Sequence, residues 1–414
     1  MEIWIPYGDT EVQVVVRAEN LVGIAEPKDM DSVNDLHSEI QRAFAGLEGM
    51  EPLSQLLGPT DQVRLFTDLP SAASSFDVIN SIVHEVSGLV DVENITVLWR
   101  HPEGEPLTTT NLESVNGKNV RTIDLDDANT SSVPAKESYR GKEVEMLSEF
   151  REANLRILVS RVSFDPIWGY AGGRSILLGL LDKRMRGELR REAVRSYLEN
   201  GSFEINRKLK QADPLASLAG RTLALNIVTN KDGRVSKIFA GELDEAFNRA
   251  AKYVDEVYKI ELEKAPDIMI IGPGGRPYDY TLSRSLDSIM LNMSLLKKGG
   301  GIVLVAECIG GYGSDNFKEI FSKGQDSKQL KSILKKDFAD GAEKAYFLTY
   351  LLEDFRVYLI SVMPDHYTRG IFHLKTSRTV NDALQSAFRA LGKDSSVAVV
   401  PYGSITRTFA KPRT

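Results

Sequence analysis

The stretch Asp165-Pro-Ile-Trp-Gly-Tyr-Ala-Gly-Gly-Arg-Ser175 gathers residue types that do chemistry on an anion. Pro166, Gly169 and the Gly172-Gly173 pair predict a loop, and the apolar run after Arg174 predicts a helix. A glycine loop that feeds a helix N-terminus presents backbone N–H groups to a phosphate or carboxylate. Gly172, Gly173, Arg174 and Ser175 are therefore the expected ligand or cofactor cradle, with Asp165 at its head. A second loop, Gly272-Pro-Gly-Gly-Arg-Pro277, lacks the glycine spacing of the dinucleotide fingerprint. It either turns a strand into a helix or holds an anion, with Gly274 and Gly275 beside it and Arg276 forking its oxygens.

Two single residues stand where strands end. Asp68 follows the apolar stretch Gln62–Thr67, and His101 follows Asn94–Leu98. A histidine there can titrate near neutrality and serve as a general base. The remaining histidines, His37, His84, His366 and His373, show no spacing diagnostic of zinc. His37 and His84 fall inside helical patterns and read as surface or packing residues, so no metal ligand is expected among them. Cys308 is the sole cysteine, which excludes an internal disulfide, and it reads as a small buried residue. Neither a Gly-x-Ser-x-Gly elbow nor a Walker or kinase loop is present.

The elements that must position these residues alternate. Strand patterns at 11–17, 62–67 and 94–98 are interleaved with helical patterns near 32–47 and 79–86. Residues 102–139 are polar and predict a β-rich insertion, followed by a helix–strand passage over 142–163. Residues 223–229 and 235–240 flank Asn230-Lys-Asp-Gly233 and predict a hairpin. Beyond residue 260, apolar strands at 267–271 and 302–306 bracket a helix, a βαβ unit. The expectation is α/β: two domains, 1–260 and 261–414, with mostly parallel sheets and a cleft between them. In such sheets ligands sit beyond the strand C-termini.

The net charge of −7 argues against a nucleic-acid partner, which needs a basic surface. No apolar run approaches the roughly 20 residues that span a bilayer, and the first residues carry no signal-peptide pattern. A cytoplasmic protein that binds a small anionic molecule is expected, with oligomeric state left open.

The chain resembles the lactate racemase family, whose members use a nickel-pincer nucleotide. The resemblance runs from Ile5-Pro-Tyr-Gly8 and Asn20–Pro27 through the Gly169–Gly179 loop. It continues through Leu225–Asp232, Phe239-Ala-Gly241, Gly274–Asp279, Gly299–Gly310 and Val400–Thr406, in that order. It implies two α/β domains, the cofactor in their cleft, and a racemase or epimerase acting on a 2-hydroxy acid. Carried over by position, the family's proton-relay histidine falls at Asp165, its cofactor-bonding lysine at Ser175 and its nickel-ligating histidine at Arg191. Its Asp-x-Thr-Arg-Pro segment stands as Asp68-Leu-Pro-Ser71, and its Gly-Thr-His-Arg-Pro as Leu98-Trp-Arg-His101-Pro. The resemblance thus assigns His101 and Asp165 as bases. Asp68, Gly172, Gly173, Arg174 and Ser175 would lie on the cofactor, and Gly274, Gly275 and Arg276 on the substrate. Because Ser175 lacks an amine and Arg191 repels a metal, a second reading stands beside the isomerase: a non-racemizing relative that binds an anionic metabolite or nucleotide.

Overall fold

A computed structural model describes residues 1–70, 73–100, 112, 114–115, 117–125, 132–139, 142–181, 183–200, 221–324, 326–336 and 341–411. Two six-stranded sheets dominate. The first has the order β13-β12-β9-β4-β5-β6, with β4 Val63–Thr67, β5 Ile95–Trp99, β6 Arg121–Asp124, β9 Leu155–Arg161, β12 Thr222–Thr229 and β13 Val235–Glu242. All its pairs are parallel except the β12–β13 hairpin. The second has the order β18-β17-β16-β15-β19-β3 and is wholly parallel. Its strands are β3 Leu21–Ile24, β15 Ile268–Ile271, β16 Gly301–Val305, β17 Arg356–Ile360, β18 Lys375–Thr376 and β19 Val397–Val400.

Helices cover both faces of each sheet, which is why the central strands are continuous apolar runs. Ile268, Met269, Ile270 and Ile271 are all fully buried. Met269 and Ile271 face the helices Leu282–Asn292 and Ala342–Asp354, whereas Ile268 and Ile270 face the helix Val380–Leu391. In the first sheet, Leu65, Val97, Ile157 and Leu225 pack beneath the helices Leu36–Ala45 and Ala73–Ser87. Phe66, Leu98, Leu158 and Ala224 pack on the opposite face, against the helices Arg174–Gly179 and Lys183–Asn200.

Two expectations differ from the observed topology. The second sheet draws a strand from before residue 260, because β3 runs beside β19. The hairpin of β1 (Glu2–Tyr7) and β2 (Thr10–Val15) buries Ile3, Ile5 and Val14 in the same core as Ile268 and Val303. The passage after residue 142 opens on a strand rather than a helix: β8 (Lys142–Leu147) pairs antiparallel with β7 (Ser132–Tyr139), and the short helix Ser148–Arg151 and β9 come only after it. That hairpin falls partly in the stretch expected to be a β-rich insertion, whereas β6 is the edge strand of the first sheet. No helix among the described residues is long and apolar enough to cross a membrane.

Each sheet has one place where strand order reverses. In the first, the chain moves from β4 outward through β5 and β6, then returns to the other side of β4 at β9. In the second, β15 is followed outward by β16 and β17, and β19 returns to its other side. Loops leaving such a point diverge to opposite faces and leave a crevice at the strand C-termini. Asp68 and Arg161 end the strands at the first point. Gly272–Tyr278 and Tyr402 follow the strands at the second.

Candidate functional site

These two crevices open onto one cavity of about 740 Å³. That is room for a small molecule. Leu69, Pro70, Ser75, Arg161 and Thr229 line it from the first sheet, and Gly274, Arg276, Tyr278, Tyr280 and Tyr402 from the second. Gly8 and Asp9, in the turn of the β1–β2 hairpin, close one side.

The turn is anchored from below. Gly8 N–H donates to the buried Asp279 carboxylate at 2.6 Å, and Gly8 C=O accepts from Arg276 N–H at 3.1 Å. Gly8 has φ +58, a left-handed backbone that favours glycine, and a Cβ there would meet the Glu307 carboxylate at 2.5 Å. The Arg276 guanidinium is held between Asp9 (2.8 Å) and Glu307 (2.9 Å). Arg276 therefore lines the cavity with its guanidinium already paired to two carboxylates. Gly274 also lines the cavity, whereas Gly275 packs against Gly8, where an added Cβ would meet the Gly8 carbonyl oxygen at 2.8 Å.

Arg161 is the cation that sequence reasoning missed. It is the last residue of β9 and reaches across the cleft to the second sheet. Its Nη1 donates to Tyr278 Oη at 2.5 Å, and its guanidinium lies over the Tyr278 ring, 5.2 Å from the centroid. No carboxylate of the described residues lies within ion-pairing distance of it. Lys231, by contrast, is paired with Asp29 at 2.9 Å and Glu26 at 3.3 Å, although it too reaches over a ring of the far side, Tyr402. The available signal was positional: a charged residue ending a buried apolar strand.

Asp68 sits beside Arg161 at the end of the neighbouring strand, next to the lining residues Leu69 and Pro70. The loop that carries it is braced by Leu69 N–H donating to Thr67 Oγ1 (3.2 Å) and Trp99 Nε1 donating to Leu69 C=O (2.8 Å). Burial pushes the Asp68 carboxyl up to about 6, against the opposing pull of Arg161 and Arg100. A carboxyl so poised exchanges its proton near neutral pH. His101 lies outside the described residues, as do the side chains of Arg174 and Ser175.

None of the described side chains of the glycine loop lines the cavity. β10 (Ser163–Asp165) and β11 (Gly169–Ala171) form a small hairpin that folds the chain back under the first sheet. Asp165 Oδ1 accepts from the N–H groups of Ile167 (2.8 Å) and Trp168 (2.6 Å), so the carboxylate caps its own turn. Burial and the neighbouring Asp287 raise its pKa, and Lys344 opposes them. It thus faces the Lys344–Asp287 ion pair of the second unit rather than the cavity. Gly173, with φ +55, would place a Cβ 2.5 Å from the Phe247 ring, and its N–H is taken by Ser160 Oγ at 3.1 Å. A Cβ on Gly172 would meet Val162 at 2.7 Å. These glycines permit close packing and leave no open cradle. Replacing Gly173 with alanine is therefore expected to destabilise the chain by about 2–4 kcal/mol, from overpacking and the left-handed backbone. Affinity for a cavity ligand should stay unchanged. Denaturant titration and calorimetry on the variant check both, and lost affinity at wild-type stability would restore the cradle.

Arg191, on the helix Lys183–Asn200, is half-buried with its Nε lacking a partner, and it does not line the cavity. The preceding Arg190 ties that helix to the second unit through the buried Glu343. Cys308 is buried and its thiol is pushed up to about 12, as suits an inert core residue.

Two family profiles match the chain, "Lactate racemase N-terminal domain" over residues 7–185 and "Lactate racemase C-terminal domain" over residues 260–406. The lactate racemase of Thermoanaerobacterium thermosaccharolyticum is 22% identical over 420 residues, covering 97% of each chain. That of Lactiplantibacillus plantarum is 24% identical over 266 residues, 61% of each chain. Among solved structures, the lactate racemase apoprotein from T. thermosaccharolyticum superposes over 100% of both chains, with a TM-score of 0.81 at 21% identity. A Thermotoga maritima protein superposes over 87% of this chain and 96% of its own, with a TM-score of 0.60 at 15% identity. These likenesses carry the two-domain α/β fold.

Proposed function

This chain belongs to the lactate racemase family, and from that premise we propose that it is a lactate racemase-like protein whose interdomain cavity binds a small 2-hydroxy carboxylate. The observation that carries the reading is Arg161, a guanidinium stacked on Tyr278, facing the cavity and free of any carboxylate partner among the described residues. A planar fork of this kind recognises a carboxylate bidentately. Asp68, beside it, can accept a hydrogen bond from a hydroxyl next to that carboxylate or hold its proton.

The family is associated with a nickel cofactor, which when bound supplies a hydride acceptor. The residues described here do not fit it. No imidazole or thiolate lines the cavity among them, Asp165 is turned away, and the packed glycine pair leaves no cradle. Ser175 and Arg191 offer neither the amine nor the neutral nitrogen that the resemblance requires. Binding without racemization follows from that mismatch. One observation favours the isomerase alternative: the Asp68 carboxyl, poised near 6, has the proton affinity of an acid–base group.

Calorimetry with the two enantiomers of several 2-hydroxy acids should show saturable heat at one site per chain. The intact mass of protein made beside a cofactor-producing pathway should equal that of the bare chain. A nucleotide adduct in that mass, with interconversion of enantiomers on chiral chromatography, would move the assignment to the isomerase. The absence of heat with every 2-hydroxy acid would remove the binding assignment.

A further inference from the structure

The helices Leu36–Ala45 and Ala73–Ser87 lie side by side on one face of the first sheet. Ile40, Ala43 and Phe44 of one share a core with Ile79, Ile82, Val83 and Val86 of the other. That packing fixes what stands along their common rim. His37 lies one turn before Ile40, and His84 and Glu85 fall between Val83 and Val86. His37 Nε2 comes within 3.2 Å of Glu85 Oε1, and His84 Nδ1 within 3.9 Å of the same oxygen. The two imidazoles meet edge to face with centroids 5.1 Å apart.

We infer that His37, His84 and Glu85 form a binding site for one divalent transition-metal ion, with Zn²⁺ as the probe. All three donor atoms lie within 4.8 Å of one another. Ligands about 2.1 Å from a tetrahedral ion stand about 3.4 Å apart, so closing the shell needs movements of about an ångström. The side chains have that freedom: His84 is 67% exposed and His37 40%. A second imidazole converging on one carboxylate oxygen is more than an ion pair requires, and two nitrogens with one oxygen suit Zn²⁺ or Co²⁺ rather than Mg²⁺ or Ca²⁺. Gln41, one turn after His37, places its amide 2.9 Å from Glu85 Oε1 and 3.3 Å from His37 Nε2. Rotating that amide turns its oxygen toward the ion as a fourth ligand.

The site is separate from the cleft. Ser75 lines the cavity, and His84 lies nine residues further along the same helix, about 14 Å away. A bound ion would staple the two helices together on the face of the sheet opposite the glycine loop.

The test uses the untagged full chain, stripped by a chelator and titrated with Zn²⁺ by calorimetry. Co²⁺ serves as a spectroscopic probe, its visible bands reporting imidazole ligation. One Zn²⁺ per chain is expected, with affinity falling roughly tenfold or more in His37→Gln and again in His84→Gln. Circular dichroism establishes that the variants fold. Zn²⁺ binding that persists unchanged in the double variant, or is absent from the wild-type chain, overturns the site. Nickel content alone would count this site together with any cofactor, so the mass measurement above remains the test of the cleft.

Discussion

Arg161→Gln is expected to weaken binding of a 2-hydroxy carboxylate roughly tenfold to a hundredfold, with little change in fold. The magnitude follows from the loss of a charge-assisted fork, about 1.5–3 kcal/mol. Arg161 is a sharper probe than the other cavity cations. Arg276 and Lys231 are each held by two carboxylates, so removing either would chiefly unpair Asp9 and Glu307, or Asp29 and Glu26. Tyr278→Phe keeps the stacking partner and removes only the hydroxyl that accepts from Arg161, so its effect should be smaller, a few fold. Arg161→Lys should resemble Arg161→Gln more than wild type, because an ammonium cannot fork a carboxylate or stack as a plane. Calorimetric titration of the four proteins gives the series. Equal affinities across it would show that the ligand's carboxylate is held elsewhere.

The physical reasons for what the sequence revealed differ between fold and site. Buried parallel strands announce themselves as unbroken apolar runs, so 268–271, 302–305 and 397–400 were legible, as was the Asp-Gly turn of the β12–β13 hairpin. Membership of β3 in the second sheet was not legible, because its partner β19 is nearly the whole chain away and four residues carry no mark of which sheet they join. Asp68 was singled out by its place after a strand end, and Gly274 and Arg276 by the glycine loop that carries them; of the three, Gly274 and Arg276 line the cavity. Arg161 lay in a segment read only as a passage into the glycine loop. A glycine pair before a helix signals close approach of something without naming it, and Gly173 and Gly172 closely approach Phe247 and Val162. His37 and His84 met across two helices whose pairing no local pattern encodes.

Asp68→Asn is expected to stabilise the chain at pH 8 and to leave it unchanged at pH 4. Asp68 has a native pKa of about 6, against roughly 3.9 in an unfolded chain. Between those values the native state holds the proton more tightly, so this residue's contribution falls as pH rises. The contribution is complete below about 3.9 and lost above 6, where the ionised, partly buried carboxylate costs about 3 kcal/mol. The amide removes that cost, and urea midpoints of wild type and variant should diverge from pH 4 to pH 8 by up to that amount. Equal midpoints at pH 8 would mean that the carboxyl is not desolvated. The same charge bears on the ligand, because ionised Asp68 competes for the field of Arg161. Protonation near pH 5.5 releases Arg161, so wild type should bind an anion more tightly there than at pH 7.5. In Asp68→Asn that pH dependence should vanish and affinity at pH 7.5 should rise, unless the carboxylate itself holds the ligand's hydroxyl, in which case affinity falls at both values. The cavity would then be carrying an unfavourable charge at neutral pH to recognise that hydroxyl, which is where stability and binding are expected to conflict.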